Sequence, residues 1–259
     1  MSQFALSSNT PSLLQQVTQY WSTRAQGYSQ SNQAELHSIS QQKWQAMLLS
    51  LLPKKQPLTI LDVGTGPGFL AILMAQAGHN VIAVDATESM LQCARENAQA
   101  NQVNIQFIQG DAHCLPLADA SIDCLITRNL TWNLTAPEQA YAEWYRVLNA
   151  QGRLINFDAN WYRYLFDRQQ EQAFLADRAT TARLHIADHY ANTDTRTMEQ
   201  IARQLPLSQQ LRPQWDLQIL RQIGFVDCFA DTQINHKLLN QEEQINYRST
   251  PMFMIYAQK

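Results

Sequence analysis

Short apolar runs alternate with amphipathic stretches through the middle of the chain. From length and residue content we predict buried strands at 58–64, 80–86, 105–112, 122–129 and 152–160. The helical patterns between them predict helices at 68–78, 87–101 and 137–149. Strands that alternate with helices indicate right-handed crossovers and a mostly parallel α/β sheet.

The pattern changes at both ends of this central region. Residues 12–52 carry apolar positions at helical spacing, and Pro53 ends the second of two predicted helices. Residues 161–205 are mostly polar and helical, so we predict a helical insertion after the fifth strand. A helix near 213–223 and strands at 225–232 and 251–259 follow. We therefore divide the chain into an N-terminal helical segment, 1–57, and an α/β domain, 58–259.

Composition narrows the class of protein. The chain has 259 residues, of which 45% are hydrophobic and 16% charged, as in soluble globular proteins. No apolar run approaches the ~20 residues of a membrane span, and the N-terminus lacks the features of a signal peptide. We expect a cytoplasmic protein without membrane contact. The net charge of −3 argues against nucleic-acid binding. The four cysteines form no CxxC pair, so we predict no metal site.

The segment LDVGTGPGF, residues 61–69, runs from the first strand into a glycine loop. Glycine permits positive φ and a close approach of ligand to backbone. A dinucleotide fingerprint would have Gly or Ala where this chain has Phe69. Pro67 also lacks an N–H that a pyrophosphate would need. The loop therefore suits a nucleoside ligand without phosphate.

Acidic residues stand at the ends of the second and third strands. Asp85 can accept hydrogen bonds from both hydroxyls of a ribose. Asp111 can accept one from an adenine amine, beside the backbone N–H of Ala112. Met90 can lie against the adenine face, although a core methionine would show the same pattern.

The set VGTGPG, VIAVDATESML and GDAHCLPLADASID resembles the class I S-adenosylmethionine-dependent methyltransferases, in particular their UbiE/Coq5-like, type 11 group. The resemblance implies a Rossmann-like, seven-stranded, mostly parallel sheet of order 3-2-1-4-5-7-6 with an antiparallel last strand. It also implies S-adenosyl-L-methionine as cofactor and S-adenosyl-L-homocysteine as product. The implied cofactor-binding residues are Asp62, Gly64, Thr65, Gly66, Asp85, Ala86, Met90, Asp111, Ala112 and Arg128. Asn129, next to Arg128, ends the strand that contacts the methionine part in this family.

The N-terminal segment YWSTRAQGYSQ, residues 20–30, suggests a lid over the cofactor, as this family often has. We predict that Arg24 and Tyr28 contact the cofactor, because either side chain can pair with its carboxylate. Tyr20 and Trp21 are further lid residues or core residues of a packed helix.

The acceptor pocket should lie after the fourth and fifth strands. We predict substrate contacts from Thr131, Trp132, Trp161 and Tyr162, whose rings suit apolar or cationic groups. Asp158 and Asn129 are the catalytic candidates, with a structural role for Asp158 as the alternative. The segment RNLTW, 128–132, lacks the N/D-P-P-Y/F motif of enzymes that methylate nucleic-acid base amines. HIADH, 185–189, places two histidines one helical turn apart, which we interpret as surface residues.

These features favour a methyltransferase acting on a small molecule, with the acceptor and its atom left open. Two alternatives remain from the sequence: an NAD(P)-dependent oxidoreductase and a non-catalytic S-adenosylmethionine-binding module. A homodimer also stays open.

Overall fold

Seven strands form a single sheet in the computed structural model, which describes residues 11–191 and 193–259. The strands are β1 (Thr59–Val63), β2 (Asn80–Asp85), β3 (Gln106–Gln109), β4 (Ile122–Arg128), β5 (Leu148–Asp158), β6 (Val226–Asp231) and β7 (Phe253–Gln258). Their order is β3-β2-β1-β4-β5-β7-β6. β1 to β5 run parallel, and β7 pairs antiparallel with both β5 and β6. The predicted fold class is confirmed.

Helices cover both faces of the sheet and its carboxyl edge. They are α1 (Leu13–Leu36), α2 (Ile39–Leu51), α3 (Phe69–Gln76), α4 (Glu88–Ala100), α5 (Pro137–Val147), α6 (Arg168–Leu184), α7 (Thr195–Ala202), α8 (Gln214–Ile223), α9 (Asn235–Leu238) and α10 (Gln241–Asn246). The last two lie between β6 and β7, where the apolar pattern gave no prediction. None of the helices within the described ranges is long and apolar enough to cross a membrane.

The sheet is buried because its central strands carry apolar side chains on both faces. Ile60 and Leu61 of β1 point to opposite faces, and both are fully buried. On one face the rings of Trp44 and Phe157 pack edge to face at 4.9 Å. On the other, Tyr141 and Trp144 pack with the apolar residues of α8. Because β1 to β5 are parallel, their carboxyl ends lie at one edge of the sheet, and the polar residues there are available to form a site.

α1 begins with a capping box, in which the Ser12 side chain accepts from the Gln15 N–H and the Gln15 side chain accepts from the Ser12 N–H. The helix packs against α4 and α7. Contacts from α1 to α7 run through Val17, Tyr20 and Met198. The insertion after β5 is helical, as expected, and α7 belongs to it. The N-terminal segment and the insertion thus meet above the carboxyl edge.

One local prediction within the insertion is wrong. α6 ends at Leu184, and His185 caps it in the left-handed conformation with φ of 54°. His185 and His189 therefore do not lie on one helix face. Both are exposed, and His189 Nδ1 lies 2.8 Å from the Tyr247 hydroxyl. Among the described residues, no group of three or more His, Cys, Asp or Glu side chains is arranged to hold a metal ion.

Candidate active site

A cavity lies at the carboxyl ends of β3, β2, β1 and β4, under the roof of α1. The space free of atoms, including its open mouth, measures about 990 Å³. Neighbouring strands contribute in spatial order: Asp111 follows β3, Asp85 ends β2, Asp62 lies on β1 and Arg128 ends β4. This is the position at which open α/β sheets bind ligands.

The glycine loop crosses the floor of this cavity. Gly64 and Gly66 have φ values of 66° and 53°. A Cβ on Gly64 would come within 2.7 Å of a Leu130 methyl group, and one on Gly66 would contact the Tyr28 ring at 3.6 Å. Glycine is therefore required at Gly64 both by the backbone conformation and by the packing of Leu130.

The backbone donors of the loop are already used or absent. The N–H groups of Gly64 and Thr65 donate to the Val84 carbonyl at 2.8 and 3.0 Å. The Gly66 N–H donates to the Asp85 carboxylate, Pro67 has none, and the Gly68 N–H donates to the Thr65 carbonyl. A pyrophosphate cradle needs such donors free and has no use for a carboxylate beneath them. The geometry agrees with a ligand that carries no phosphate.

Asp62 braces the loop from below. Its Oδ2 accepts from the Thr65 hydroxyl at 2.7 Å and from the Ala71 N–H at 3.1 Å. The side chain is almost fully buried, and burial raises the pKa of Asp62 to about 7. The Thr65 and Ala71 hydrogen bonds act in the opposite direction.

Asp85 presents a second carboxylate to the cavity. Its Oδ2 accepts from the Gly66 N–H and its Oδ1 from the Thr87 N–H, both at 2.9 Å. Burial raises the pKa of Asp85, while these hydrogen bonds act to lower it. Each oxygen retains a further lone pair, so the group can accept from two adjacent hydroxyls.

The β3 end of the cavity is organised by a histidine that the sequence reasoning missed. His113 Nε2 accepts from the Ala136 N–H at 3.1 Å, so the ring proton sits on Nδ1. Nδ1 then donates to Asp111 Oδ1 at 2.5 Å, and the His113 N–H donates to the same oxygen. The Trp144 indole N–H holds the Ala112 carbonyl at 3.0 Å. Asp111 and Ala112 are thereby held as a rigid polar edge.

At the β4 end, Arg128 pairs with the carboxylate of Glu35, a residue of α1. Its Nη1 donates to Glu35 of α1 at 2.9 Å, and both side chains are largely buried. The guanidinium also lies over the rings of Trp44 and Phe69, at 4.3 and 5.0 Å from their centroids. Burial acts to lower the pKa of Arg128, but the nearby Glu35, Tyr28 and Glu243 together raise it above its ordinary value, so the group stays charged.

Six residues of α1 form the roof. They are Leu14, Val17, Thr18, Trp21, Tyr28 and Asn32. Tyr28 lies directly above Gly66, where the sequence analysis expected a lid contact. Arg24, predicted beside it, is absent from the cavity lining, although it lies one helical turn from both Trp21 and Tyr28. The Arg24 prediction is therefore corrected.

Most of the predicted cofactor residues come together around this cavity. The lining includes Asp62, Gly64, Thr65, Gly66, Asp85, Ala86, Met90, Asp111, Ala112, Arg128, Asn129 and Tyr28. Their roles toward a ligand stay predictions. The sequence reasoning missed His113, Asn32, Leu130 and Asn133 as lining residues. Only His113 had a usable signal, since it directly follows Asp111 and Ala112.

The predicted acceptor residues lie elsewhere. Asp158 is fully buried and forms an ion pair of 2.7 Å with Arg212, a residue of the segment before α8. Its Oδ2 also accepts from the Thr131 hydroxyl and the Trp132 N–H, and its Oδ1 from the Trp161 indole N–H at 3.2 Å. We correct the catalytic prediction for Asp158, because a buried and paired carboxylate has no lone pair aimed at a substrate.

Thr131, Trp132, Trp161 and Tyr162 belong to the packing around that ion pair, outside the cavity lining. The rings of Trp132 and Tyr162 pack at 5.0 Å, and Trp132 also contacts Trp21 of the roof at 6.4 Å. Thr131 is fully buried. The predicted substrate contacts are thus replaced by a supporting layer beneath the turn that follows β4.

Comparison with known proteins identifies a methyltransferase domain in the central part of the chain. A family model described as a methyltransferase domain matches residues 61–156. A demethylmenaquinone methyltransferase from Thermus thermophilus is 34% identical over 115 residues, 44% of this chain and 52% of that protein. The ubiquinone/menaquinone biosynthesis C-methyltransferase of Methylobacterium nodulans is 36% identical over 118 residues, 43% of this chain and 47% of that protein. Residues 61–156 thus match a methyltransferase domain, and the chain is similar over about 44% of its length to UbiE-like C-methyltransferases.

The alignments cover only about half the length of these curated relatives. The family match over residues 61–156 includes the glycine loop and the carboxyl ends of β1 to β4. Among solved structures, phosphoethanolamine N-methyltransferase 2 of Haemonchus contortus, in complex with S-adenosyl-L-methionine, has a TM-score of 0.60 at 16% identity. That match covers 84% of this chain and 52% of the other. At this identity it supports the methyltransferase fold alone.

Proposed function

We propose that this protein transfers the methyl group of S-adenosyl-L-methionine to a small-molecule acceptor. The observation that carries the proposal is the pair of carboxylates, Asp85 and Asp111, at neighbouring strand ends beside a loop whose own N–H groups are already occupied. Such a site suits a nucleoside with free ribose hydroxyls and a non-phosphate tail. The methyltransferase relatives named above support the same reaction class.

Unpaired polar atoms in the cavity support the fit of this cofactor. Within the described residues, Trp21 Nε1, Asn129 Oδ1 and Asn133 Oδ1 are buried without a hydrogen-bond partner. All three residues line the cavity. Buried polar atoms are normally paired, so a bound ligand with both donors and acceptors is the natural partner.

We infer the orientation of the cofactor from the order of the strands. Asp111 and Ala112 beside β3 would hold the adenine, with Met90 nearby, and Asp85 on β2 would hold the ribose. The loop from Gly64 to Gly66, with Asn129 and Arg128 after β4, would hold the methionine part. Asp62 would act through the loop that it braces.

The protein's share of the chemistry is alignment. When bound, S-adenosyl-L-methionine supplies a methyl group already activated by a sulfonium centre. Transfer is an in-line displacement, so the residues must hold the acceptor and exclude water. The roof of α1 covers the cavity, with Tyr28 directly over Gly66. No side chain needs to act as a base if the acceptor is nucleophilic at neutral pH.

Calorimetry with S-adenosyl-L-homocysteine and with NAD⁺ tests the proposal. We expect binding of the first and none of the second, because the loop offers no free donors to a pyrophosphate. Binding of NAD⁺ alone would overturn the proposal in favour of an oxidoreductase. Release of S-adenosyl-L-homocysteine over a panel of small metabolites then tests turnover. Tight binding without turnover on any acceptor would favour a non-catalytic binding module.

A further inference from the structure

A buried polar network supports the turn between β4 and α5. Its centre is Arg212, which is 3% exposed, and its two carboxylates are Asp158 and Asp216, both fully buried. Arg212 lies more than 50 residues from Asp158 along the chain. The network therefore joins three separate parts of the sequence: the end of β5, the turn after β4 and the segment before α8.

All three nitrogen atoms of the Arg212 guanidinium donate hydrogen bonds. Nη1 donates to Asp158 Oδ2 at 2.7 Å, and Nη2 donates to the Thr131 hydroxyl at 2.5 Å. Nε donates to Asp216 Oδ2 at 2.9 Å, while Asp216 Oδ1 also accepts from the Tyr141 hydroxyl at 2.5 Å. The planar fork of an arginine suits this arrangement, and a lysine could satisfy only part of it.

The network reaches the cavity through Trp132. Asp158 accepts from the Trp132 N–H at 2.8 Å, and the Trp132 indole N–H donates to the Asn129 carbonyl at 2.9 Å. The Asn129 N–H donates to the Phe157 carbonyl at 2.8 Å. Both backbone groups of Asn129 are therefore held by partners outside the cavity, while its side chain lines it.

The Asn129 backbone also has an uncommon conformation. Its φ is 57°, in the left-handed region that among non-glycine residues is adopted mainly by Asn, Asp and His. Such conformations persist where the surrounding structure over-determines them, and they gather at ligand sites. The turn places Asn129 next to β1 and β4, at the end of the cavity away from Asp111.

We propose that Arg212 is a positioning residue for the amino-acid end of the cofactor. Acting through Asp158, Thr131 and Trp132, it holds Asn129 in the conformation that faces the ligand. The proposal rests on the function proposed above, since it needs a cofactor with an amino-acid tail. Arg212 lies in the segment after the insertion, and it would support binding without touching the ligand.

Trp132→Phe tests the last link, because it removes the indole N–H and keeps an aromatic ring in the packed position. We expect the Kd of S-adenosyl-L-homocysteine to rise by about threefold to tenfold, the usual effect of one lost hydrogen bond. The Kd of adenosine should stay within about twofold, because adenosine lacks the amino-acid tail. Trp215→Phe, on the other side of Tyr141, is the matched control and should change neither affinity.

Arg212→Lys tests the origin of the effect. The lysine keeps the charge that Asp158 and Asp216 require but loses the fork, so we expect the same selective loss for S-adenosyl-L-homocysteine. Equal loss for both ligands would mean a general structural role and would overturn the proposal, as would unchanged affinities in both variants. If the unmodified protein binds neither ligand, the proposed function fails instead, which separates the two claims.

Discussion

The carboxylates at the ends of β2 and β5 occupy comparable places in the sequence and opposite places in the structure. Asp85 faces the cavity, and its hydrogen bonds come from backbone N–H groups. Asp158 is enclosed by Arg212, Thr131 and Trp132 and faces no cavity. The difference comes from a distant segment that supplies a guanidinium to one strand end and not to the other. A strand-end aspartate thus becomes a ligand-binding group or a structural one according to what packs over it.

Removal of the Asp158 carboxylate should affect stability most. Asp158→Ala leaves Arg212 buried with an unpaired edge, and we expect the free energy of unfolding to fall by about 3–5 kcal/mol. Urea denaturation measures this change. Asp119→Ala breaks the exposed pair with Arg146 and should cost less than about 1 kcal/mol. A similarly small loss for Asp158→Ala would show that the buried pair does not stabilise the fold.

The free energy of unfolding should depend on pH through Asp62. The unfolded carboxyl ionises near 3.8, whereas the folded one holds its proton up to about 7. Between these values the folded state binds more protons, so its stability falls by about 1.4 kcal/mol per pH unit as pH rises. Asp62→Asn removes this contribution and keeps an oxygen acceptor for Thr65 and Ala71.

The comparison of urea denaturation at pH 5 and pH 7 isolates the effect of Asp62. The unmodified protein should lose about 2 kcal/mol more than Asp62→Asn over this interval. Equal losses in the two proteins would mean that Asp62 is ionised throughout and that burial does not control its pKa.

Asp85→Ala should weaken ligand binding without a comparable loss of stability. Charge-assisted hydrogen bonds to the ribose hydroxyls are removed, so we expect the Kd of S-adenosyl-L-homocysteine to rise at least about tenfold. Calorimetry measures it. Asp231→Ala, at the end of β6 and outside the cavity lining, is the matched control and should bind normally. Unchanged affinity in a folded Asp85→Ala protein would refute the ribose assignment.

Asn97 of α4 should have a smaller effect on binding; it joins α1 to the glycine loop. Its Nδ2 donates to the Pro67 carbonyl at 2.9 Å and to the Ser29 hydroxyl at 3.2 Å, and its Oδ1 accepts from Gln33 at 2.7 Å. In Asn97→Ala we expect the Kd of S-adenosyl-L-homocysteine to rise about threefold.

Gln92→Ala changes an exposed residue of the same helix and serves as the control for Asn97→Ala. Calorimetry on both variants decides the matter. The same affinity in the two would show that the roof and the loop do not depend on Asn97.

Prediction from the sequence was accurate where the signal was local. The alternation of apolar runs and helices placed the strands that the structure contains, and the loop around Gly64 and Gly66 lies at the predicted edge of the sheet. It was wrong where helical spacing near His185 continued past the end of α6. A left-handed cap, which periodicity does not show, ended that helix.

The cavity residues were predictable because each polar group lies at a strand end or within a few residues of one. Asp85 and Asp111 reach the same edge whenever the strands are parallel, with no information needed about distant segments. The positions of the residues predicted to contact the methyl acceptor were not predictable in this way. Trp132, Trp161 and Tyr162 had the residue types of a binding wall, but Trp132 and Trp161 donate to Asp158, the buried partner of Arg212.

The order of residues along the chain was therefore enough to specify the parallel sheet, the edge that carries the site and a ligand without phosphate. These follow from local periodicity, from the missing N–H of Pro67 and from carboxylates at strand ends. The assignment of Asp158 to the core, of Tyr28 rather than Arg24 to the roof, and of His113 to Asp111 required the folded structure. Asp158 pairs with Arg212 from a distant segment, Tyr28 lies over Gly66, and the His113 ring is oriented by the Ala136 N–H. Burial and pairing at such contacts determine whether a charge faces a ligand or an ion partner.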